Sequence, residues 1–526
     1  MAFIRAKRRG DKTYYYLVEG VRQGDHVRQR VVKYMGTSAT VTKSSGRRVD
    51  VVSAVAYGGV AALHALCQRL DLVDIVNRHS PKGGGPALGK LLEAMVINRC
   101  LDPVSKRRVP QWYERTALPL LLELPAQRVT EDVLYHALDY FTPERVLKIE
   151  KDLHRQVKKK FGVEFARVFY DLTSTYFEGH QCPLSEYGYS RDHRGDREQI
   201  NLAIAVNVEG IPITHEVLPG NTADVATVQD FATRLNDGFG LDAPVIVVDR
   251  GMVSKPNLAH LEKQGFDFVV GLRLDAPLQR WVARQPDPKF VAAPPEHGRY
   301  LVQDVKRGKG RRRILVLNTE MAVDDAAWRE NAMRAAEAEL AALDANRRRP
   351  KTKTGLLDKA RVILKRHKVQ SFITIRTGAR GTPRLSWTRD TTAIRTAARL
   401  DGKYVLETTT DWPAGDVLAA YHQRDAVEKF MQAIKSIVEL RPVYVRTTTH
   451  VRAHVFVCVT SVLLLSLLRK LLKDAGHDLS NVEALRRLDT VMQVVLDQAG
   501  RLNRATTRTS PEQEELLALV QAPTRV

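Results

Sequence analysis

The chain has 526 residues, 44% of them hydrophobic and 27% charged, an ordinary globular composition with enough apolar material for at least one large core and room for about two to four domains. Lys and Arg total 82 against 60 Asp and Glu, a net charge of +22; a surplus of that size points to a polyanionic partner, nucleic acid first. Four scattered cysteines, Cys67, Cys100, Cys182 and Cys458, form no CxxC pair, which excludes a zinc knuckle and a disulfide framework and fits a reducing cytoplasm.

The N-terminal MAFIRAKRRG is basic, but no apolar run follows it, so it is not a secretory signal. Residues 1–36 form a basic β-hairpin region: KTYYYLVEG and VRQRVVKY alternate apolar and polar residues around an EGVRQGD turn. Residues 37–49, TSATVTKSSGRRV, read as a linker. Residues 50–160 are helical in pattern, with apolar spacings of three and four in AALHALCQRLDLVDIV and LGKLLEAMVINRCL. The basic runs KRRVPQWYERT and RQVKKKFG in this stretch mark it as the expected binding domain for DNA ends.

The period changes near residue 163. EFARVFYDLTSTYF is a strand that ends at Asp171, followed by a turn, and INLAIAVNVEGIPITHEVLPGN is a hairpin around EG. TADVATVQDFATRLNDGF is a helix, with Asn221 or Thr222 as N-cap. APVIVVDRG is an apolar run of the kind found in a central strand covered on both faces. The helix SKPNLAHLEKQG and the strand FDFVVGLRL follow. This order predicts an α/β fold, an RNase-H-like mixed-sheet core whose first part spans 163–275.

Residues 276–400 form a large insertion with a basic strand pair, an Ala/Glu-rich helix over 324–346 and the basic stretch RRRPKTKTG, which is either a hinge or a phosphate contact. The core resumes over 401–445 with the strand GKYVLETTT and one long helix, about 415–440. Residues 446–526 are a helical C-terminal region. Its apolar run 455–468 is broken by Thr460, Ser461 and Ser466 and is shorter than a membrane span, so it reads as a buried helix and no membrane partner is expected.

The candidate chemistry lies in three acids. Asp171 and Asp249 close apolar strands, VFYD and VIVVD, predicted to be neighbours in one sheet, and carboxyl ends of sheet strands are where α/β sheets bind ligands. Either Asp alone reads first as a turn cap. On the helix that follows, Tyr421, Arg424, Glu428 and Lys435 fall within about 60° of arc at 100° per residue, beside and not within the apolar face of Val427, Phe430, Met431 and Ile434. Such a stripe is either a solvated face with i,i+3 and i,i+4 pairs or a carboxylate metal ligand flanked by phosphate-gripping groups.

The spacing Tyr-x2-Arg-x3-Glu-x6-Lys resembles the YREK signature of IS-four-type insertion-sequence transposases, within the DDE superfamily. YDLTSTYFEG, GYSRDHR, HEVLPGNTAD, VVDRGM and AVEKFMQAIKS, in this order, are similar to the branch with long N-terminal regions. The resemblance implies an RNase-H-like catalytic core, with Asp171, Asp249 and Glu428 as the catalytic, metal-holding triad and Tyr421, Arg424 and Lys435 as DNA contacts. The long stretch between Asp249 and Glu428 matches the family's insertion. It implies DNA cleavage at element ends and strand transfer into target DNA, both in-line displacements at phosphorus. Two Mg²⁺ ions suit that chemistry, and Mn²⁺ is an expected substitute. The implied partners are double-stranded DNA, as terminal inverted repeats and target, and a second copy of the chain in a synaptic complex. The implied location is the bacterial cytoplasm, at the nucleoid.

The loop GYSRDHRGDR adds Arg191 and Arg194 as candidate DNA contacts, although a solvated loop explains it equally well. His450 and His454 have metal-ligand spacing on a helix but lack a third ligand. Two rival functions stay open at this level: an RNase-H-like nuclease that does not transpose, and a catalytically silent DNA-binding protein.

Overall fold

The computed structural model describes residues 2–9, 12–23, 26–37, 49–81, 86–178, 182–191, 194–241, 244–285, 289–294, 297–305, 310–346, 352–378, 383–498 and 501–524. Residues 38–48 of the expected 37–49 linker, the stretch 347–351 of RRRPKTKTG, and Asp192 and His193 lie outside these residues. The chain divides into two units, Met1–Pro244 with Arg424–Val526, and Val245–Gln423.

The first unit opens with β1 (Ala2–Arg9), β2 (Lys12–Gln23) and β3 (His26–Thr37), an antiparallel sheet in the order β1-β2-β3. The expected hairpin is β2 and β3, with its reversal between Gln23 and His26 at the end of EGVRQGD, and β1 adds a third strand. Pairing continues through Glu19↔Arg30 and Val21↔Arg28, so the expected turn is largely strand. Then come β4 (Val49–Ala56) and helices α1 (Gly58–Arg69), α2 (Leu72–Arg78), α3 (Leu88–Leu101), α4 (Val109–Glu114), α5 (Leu118–Leu121), α6 (Glu131–Asp139) and α7 (Pro143–Phe161). Helix α3 is buried on nearly all sides, which explains why its sequence is apolar without a strong single face.

The antiparallel strands β5 (Arg167–Tyr176), β6 (Gln199–Val206) and β7 (Pro212–Pro219) follow, then α8 (Asp224–Asn236). Every residue of β6 is buried, as expected for a strand covered on both faces. The N-cap of α8 is Ala223, not Asn221 or Thr222, and it makes no side-chain cap.

The second unit contains β8 (Val245–Val248), α9 (Lys255–Lys263), β9 (Asp267–Leu272), α10 (Ala276–Ala283), β10 (Val291–Ala292), β11 (Tyr300–Val305), β12 (Arg312–Asn318), α11 (Thr319–Ala345), α12 (Lys353–Arg366), β13 (Ile373–Thr377), β14 (Leu385–Arg389), α13 (Thr391–Ala398), β15 (Lys403–Thr408) and α14 (Ala414–His422). Its sheet runs β10-β11-β12-β15-β9-β8. It is mixed, since β8 and β9 are parallel while the other pairs are antiparallel. The basic strand pair expected inside an insertion therefore belongs to this sheet, because β12 pairs with β15. Helices α11 and α12 with β13 and β14 build a separate core, around Met333, Leu340, Leu356 and Leu364.

The first unit resumes with α15 (Asp425–Gln432), a π-helical turn (Ala433–Ile437), α16 (Thr448–Asp474), α17 (Asn481–Leu488), β16 (Met492–Gln498), β17 (Arg501–Thr506) and α18 (Pro511–Leu519). Two expectations are corrected here. The helix expected over 415–440 is α14, a break, α15 and the π turn. The C-terminal region is not wholly helical, because β16 pairs with both β17 and β4. The partner strand β4 lies at the other end of the sequence, so no local pattern announces it. Helix α16 carries the apolar run read as a buried helix. It is long and apolar enough to cross a membrane, yet 83% of its most apolar window is buried inside the fold. It packs on α3, with Ser461 Oγ donating to the Val96 carbonyl at 3.2 Å.

Candidate active site

Asp171 sits mid-strand in β5, which continues to Tyr176 and does not end at the acid. The extension is held by pairing with β6, from Phe169↔Val206 to Tyr176↔Gln199. Asp171 is half-buried between buried neighbours, and its Oδ1 accepts from the Leu172 amide at 2.8 Å. Tyr170 donates from Oη to Thr227 Oγ1 of α8 at 2.7 Å. Strand alternation turns Asp171 to the opposite face.

Glu428 lies on α15 and is exposed, while Ala426, Val427 and Phe430 of the same helix are buried. Helix α15 packs against β5 and β6, so the first unit brings the elements of Asp171 and Glu428 together. The β6–β7 turn helps to place that helix. Gly210 has φ +74°, and a Cβ there would lie 3.0 Å from the Ala426 carbonyl oxygen. The same turn is tied to α16: Ser466 Oγ donates to the Gly210 carbonyl at 3.3 Å, and Arg469 donates to the Glu209 carbonyl.

Arg424 is the N-cap residue of α15, and its carbonyl accepts from the Glu428 amide at 3.3 Å. Lys435 lies in the π turn beyond Glu428. One-turn π insertions recur at functional sites. The uninterrupted α-helical stripe expected for Tyr421, Arg424, Glu428 and Lys435 is thus broken twice, before Arg424 and after Gln432.

Asp249 and Tyr421 belong to the second unit. Asp249 directly follows β8 and caps a 3₁₀ turn, with Oδ1 accepting from the Arg250 amide at 2.7 Å. Tyr421 is the penultimate residue of α14, and its hydroxyl lies against Gly271 of β9. Among the described residues, no three His, Cys, Asp or Glu side chains are already grouped to hold a metal ion.

The two loop arginines are engaged within the first unit. Arg191 Nη2 donates to both Asp224 oxygens at 2.7 Å, and its amide donates to Ser174 Oγ of β5 at 2.9 Å. Arg194 is paired with Asp196 and lies over the Tyr176 ring, 5.0 Å from its centroid. His450 and His454 are also separately engaged. His450 Nε2 meets Asp139 Oδ1 at 2.7 Å, and buried His454 meets the Leu440 carbonyl at 3.4 Å.

A family model described as a transposase DDE domain matches residues 167–464, more than half of the chain. The chain belongs to the DDE transposase family. The matched span begins at β5 and includes Asp171, Asp249 and Glu428. Among solved structures, the transposase is similar to a piggyBac transposase synaptic complex with hairpin DNA, at 11% identity and a TM-score of 0.37, over 82% of this chain and 78% of that one. It is also similar to a Mos1 transposase paired-end complex with the left transposon end, at 16% identity and a TM-score of 0.16, over 36% of this chain and 60% of that one. No curated protein matches it.

Sequence reasoning missed the residues that support the candidate site residues of this transposase: Gly210 beside the Glu428 helix, Asp224 and Ser174 holding the Arg191 loop, and Gly271 beneath Tyr421. The glycines carry one local signal, the EG turn for Gly210. The others are fixed by contacts between distant segments and leave no local pattern.

Proposed function

We propose that this DNA transposase belongs to the IS-four-type branch, cutting element ends and joining them to target DNA through Asp171, Asp249 and Glu428. The observation that carries the reading is the packing of the Glu428 helix on the Asp171 strand, inside the span matched as a DDE domain. The donor set is made of carboxylate oxygens alone, which fits hard divalent cations such as Mg²⁺ and, in substitution, Mn²⁺. When bound, two such ions supply Lewis acidity toward the phosphorus and its attacking and leaving oxygens.

The residues themselves hold and orient. Asp171, fixed mid-strand, and Glu428, on a helix backed by Val427 and Phe430, present carboxylates from a rigid base. Arg424 and Lys435 flank Glu428 in sequence and grip phosphates of the DNA, as does Tyr421. In the first step water attacks the phosphodiester at the element end. The P–O3′ bond breaks, leaving a 3′-hydroxyl on the element strand and a 5′-phosphate on the flank. In the second step that hydroxyl attacks a target phosphodiester and displaces the target's own 3′-oxygen. No covalent bond to the protein forms. The protein acts as a homodimer that pairs two ends, in the reducing bacterial cytoplasm at the nucleoid.

The test is a duplex carrying one terminal inverted repeat of the element, with supercoiled plasmid as target. The wild-type protein is expected to nick and join it only with Mg²⁺ or Mn²⁺, and Asp249→Ala to do neither. Full activity of Asp249→Ala overturns the triad. Nicking with no joining of precut ends replaces the transposase mechanism with that of a nuclease.

A further inference from the structure

A cavity of about 380 Å³ in the first unit has an unusual lining. It lies where the segment leaving the Glu428 helix crosses α3, α6 and α16. Its lining includes four cations, Arg99, Lys106, Arg108 and Arg441, and one acid, Glu439. Two of the cations are deep: Lys106 is 4% exposed and Arg99 8%. Arg99 Nη1 reaches the Val438 and Glu439 carbonyls at 3.4 and 3.3 Å, while its buried Nε has no hydrogen-bond partner among the described residues.

Burial and then the Arg99 charge pull the Lys106 ammonium down to about 7. His454, on the cavity wall, is held well below its ordinary value by burial and then by Lys106 and Arg99. Buried charges are ordinarily paired, because desolvation penalises an isolated one heavily. Here four cations and one acid, Glu439, line one cavity, so the ligand that complements it is an anion. Arg108 and Tyr444 are exposed at its rim, so a ligand has a route in. The acids of the triad line no part of it.

We propose that this cavity takes a backbone phosphate of the DNA, gripped by Lys106, Arg99 and Arg108, as an anchoring point separate from the carboxylate site. The proposal rests on the reading of the protein as one that acts on DNA, but not on the triad. A phosphate there would complete the hydrogen bonding of Arg99 and stabilise the Lys106 charge. The segment that closes the cavity also runs beside the end of β5, through the Phe177↔Val443 bridge. A phosphate held there would fix the duplex relative to the strand that carries Asp171.

The test measures binding of a fluorescent duplex in EDTA across a salt series, for the wild type, Lys106→Met, Arg108→Gln and the exposed control Arg128→Gln. Lys106→Met and Arg108→Gln are each expected to weaken binding severalfold and to reduce the slope of log K against log salt by about 1. Arg128→Gln should leave the slope unchanged. Because Arg108 is at the rim, its variant keeps the test informative if Lys106→Met fails to fold. Unchanged slopes in both cavity variants overturn the proposal, as does an equal loss in Arg128→Gln. A parallel thermal-shift series compares inorganic phosphate with chloride at matched ionic strength. Stabilisation of the wild type by phosphate, with DNA slopes unchanged, assigns the cavity to a free anion and also overturns the proposal. Binding in EDTA is independent of cleavage, so failure of the triad and failure of the cavity are told apart.

Discussion

The backbone of Gly210 approaches Ala426 so closely that a Cβ at Gly210 would lie 3.0 Å from the Ala426 carbonyl oxygen. Ala426 is two residues before Glu428, so this contact sets how near the carboxylate helix can come to the β6–β7 turn. Gly210 also has φ +74°, a conformation that costs an L side chain roughly 1–2 kcal/mol. Gly210→Ala is expected to lose about that much stability in urea unfolding. The displaced helix should lower strand cleavage by up to about 10²-fold, while DNA affinity in EDTA stays within about twofold. Cleavage at the wild-type rate would show that the turn does not position Glu428.

Arg191 and Asp224 make a second testable pair. For Arg191 to reach a DNA phosphate, it must exchange Asp224 for the phosphate. Asp224→Asn should therefore tighten binding of non-cleaved duplex, and Arg191→Gln should weaken it, as read by anisotropy at low salt. At 25% and 34% side-chain exposure the pair contributes about 0.2–1 kcal/mol to folding. Equal weakening by both substitutions would mean that the pair serves only to hold the loop on Ser174.

The buried Glu150 carboxylate ties α7 to β7 and α8. It accepts from Thr214 Oγ1 at 2.7 Å, His215 Nδ1 at 2.5 Å and Arg234 Nη2 at 3.2 Å. Burial raises its pKa, but His215, Arg234 and Thr214 outweigh burial and hold it below the usual range. A carboxyl lowered on folding stabilises above its unfolded value, about 4.3, and loses that stabilisation as pH falls through the lower folded value. Glu150→Ala should cost about 3–5 kcal/mol at pH 7, since it strands Arg234. The gap from wild type in denaturant unfolding should narrow below about pH 4. A gap independent of pH would rule out the ionic contribution.

Gly271 and Tyr421 test the second unit. A Cβ at Gly271 would meet Tyr421 Oη at 2.5 Å and Cζ at 3.0 Å. Gly271→Ala should cost about 1–3 kcal/mol by overpacking, and much less when Tyr421 is already Ala. Additive losses in that double-mutant cycle would show that the ring does not rest on the glycine. Cleavage by Gly271→Ala should fall toward that of Tyr421→Ala, if the phenol must be held to grip DNA.

The sequence by itself determined the local features. The apolar strand runs of β5 to β8 and the turn around Gly210 specify strands and reversals wherever they are placed. The charge of +22 announces a polyanion, and the order of the motifs announces the family. The buried helix over the run 455–468 was legible because hydrophobicity with interrupting hydroxyls is a local property. Only the tertiary structure decided that β5 runs past Asp171 to Tyr176, since β6 supplies the ladder partners for those extra residues. It alone placed β4 beside β16, broke the Glu428 helix before Arg424 and after Gln432, and drew β11 and β12 into a sheet through β15. Each of these depends on hydrogen bonds or packing between residues far apart in sequence, and a local pattern carries no record of its distant partner. The cavity around Lys106 has the same origin. KRRVPQWYERT reads as a basic stretch, and only the folding of α3, α6 and α16 around it turns a surface charge into a buried one.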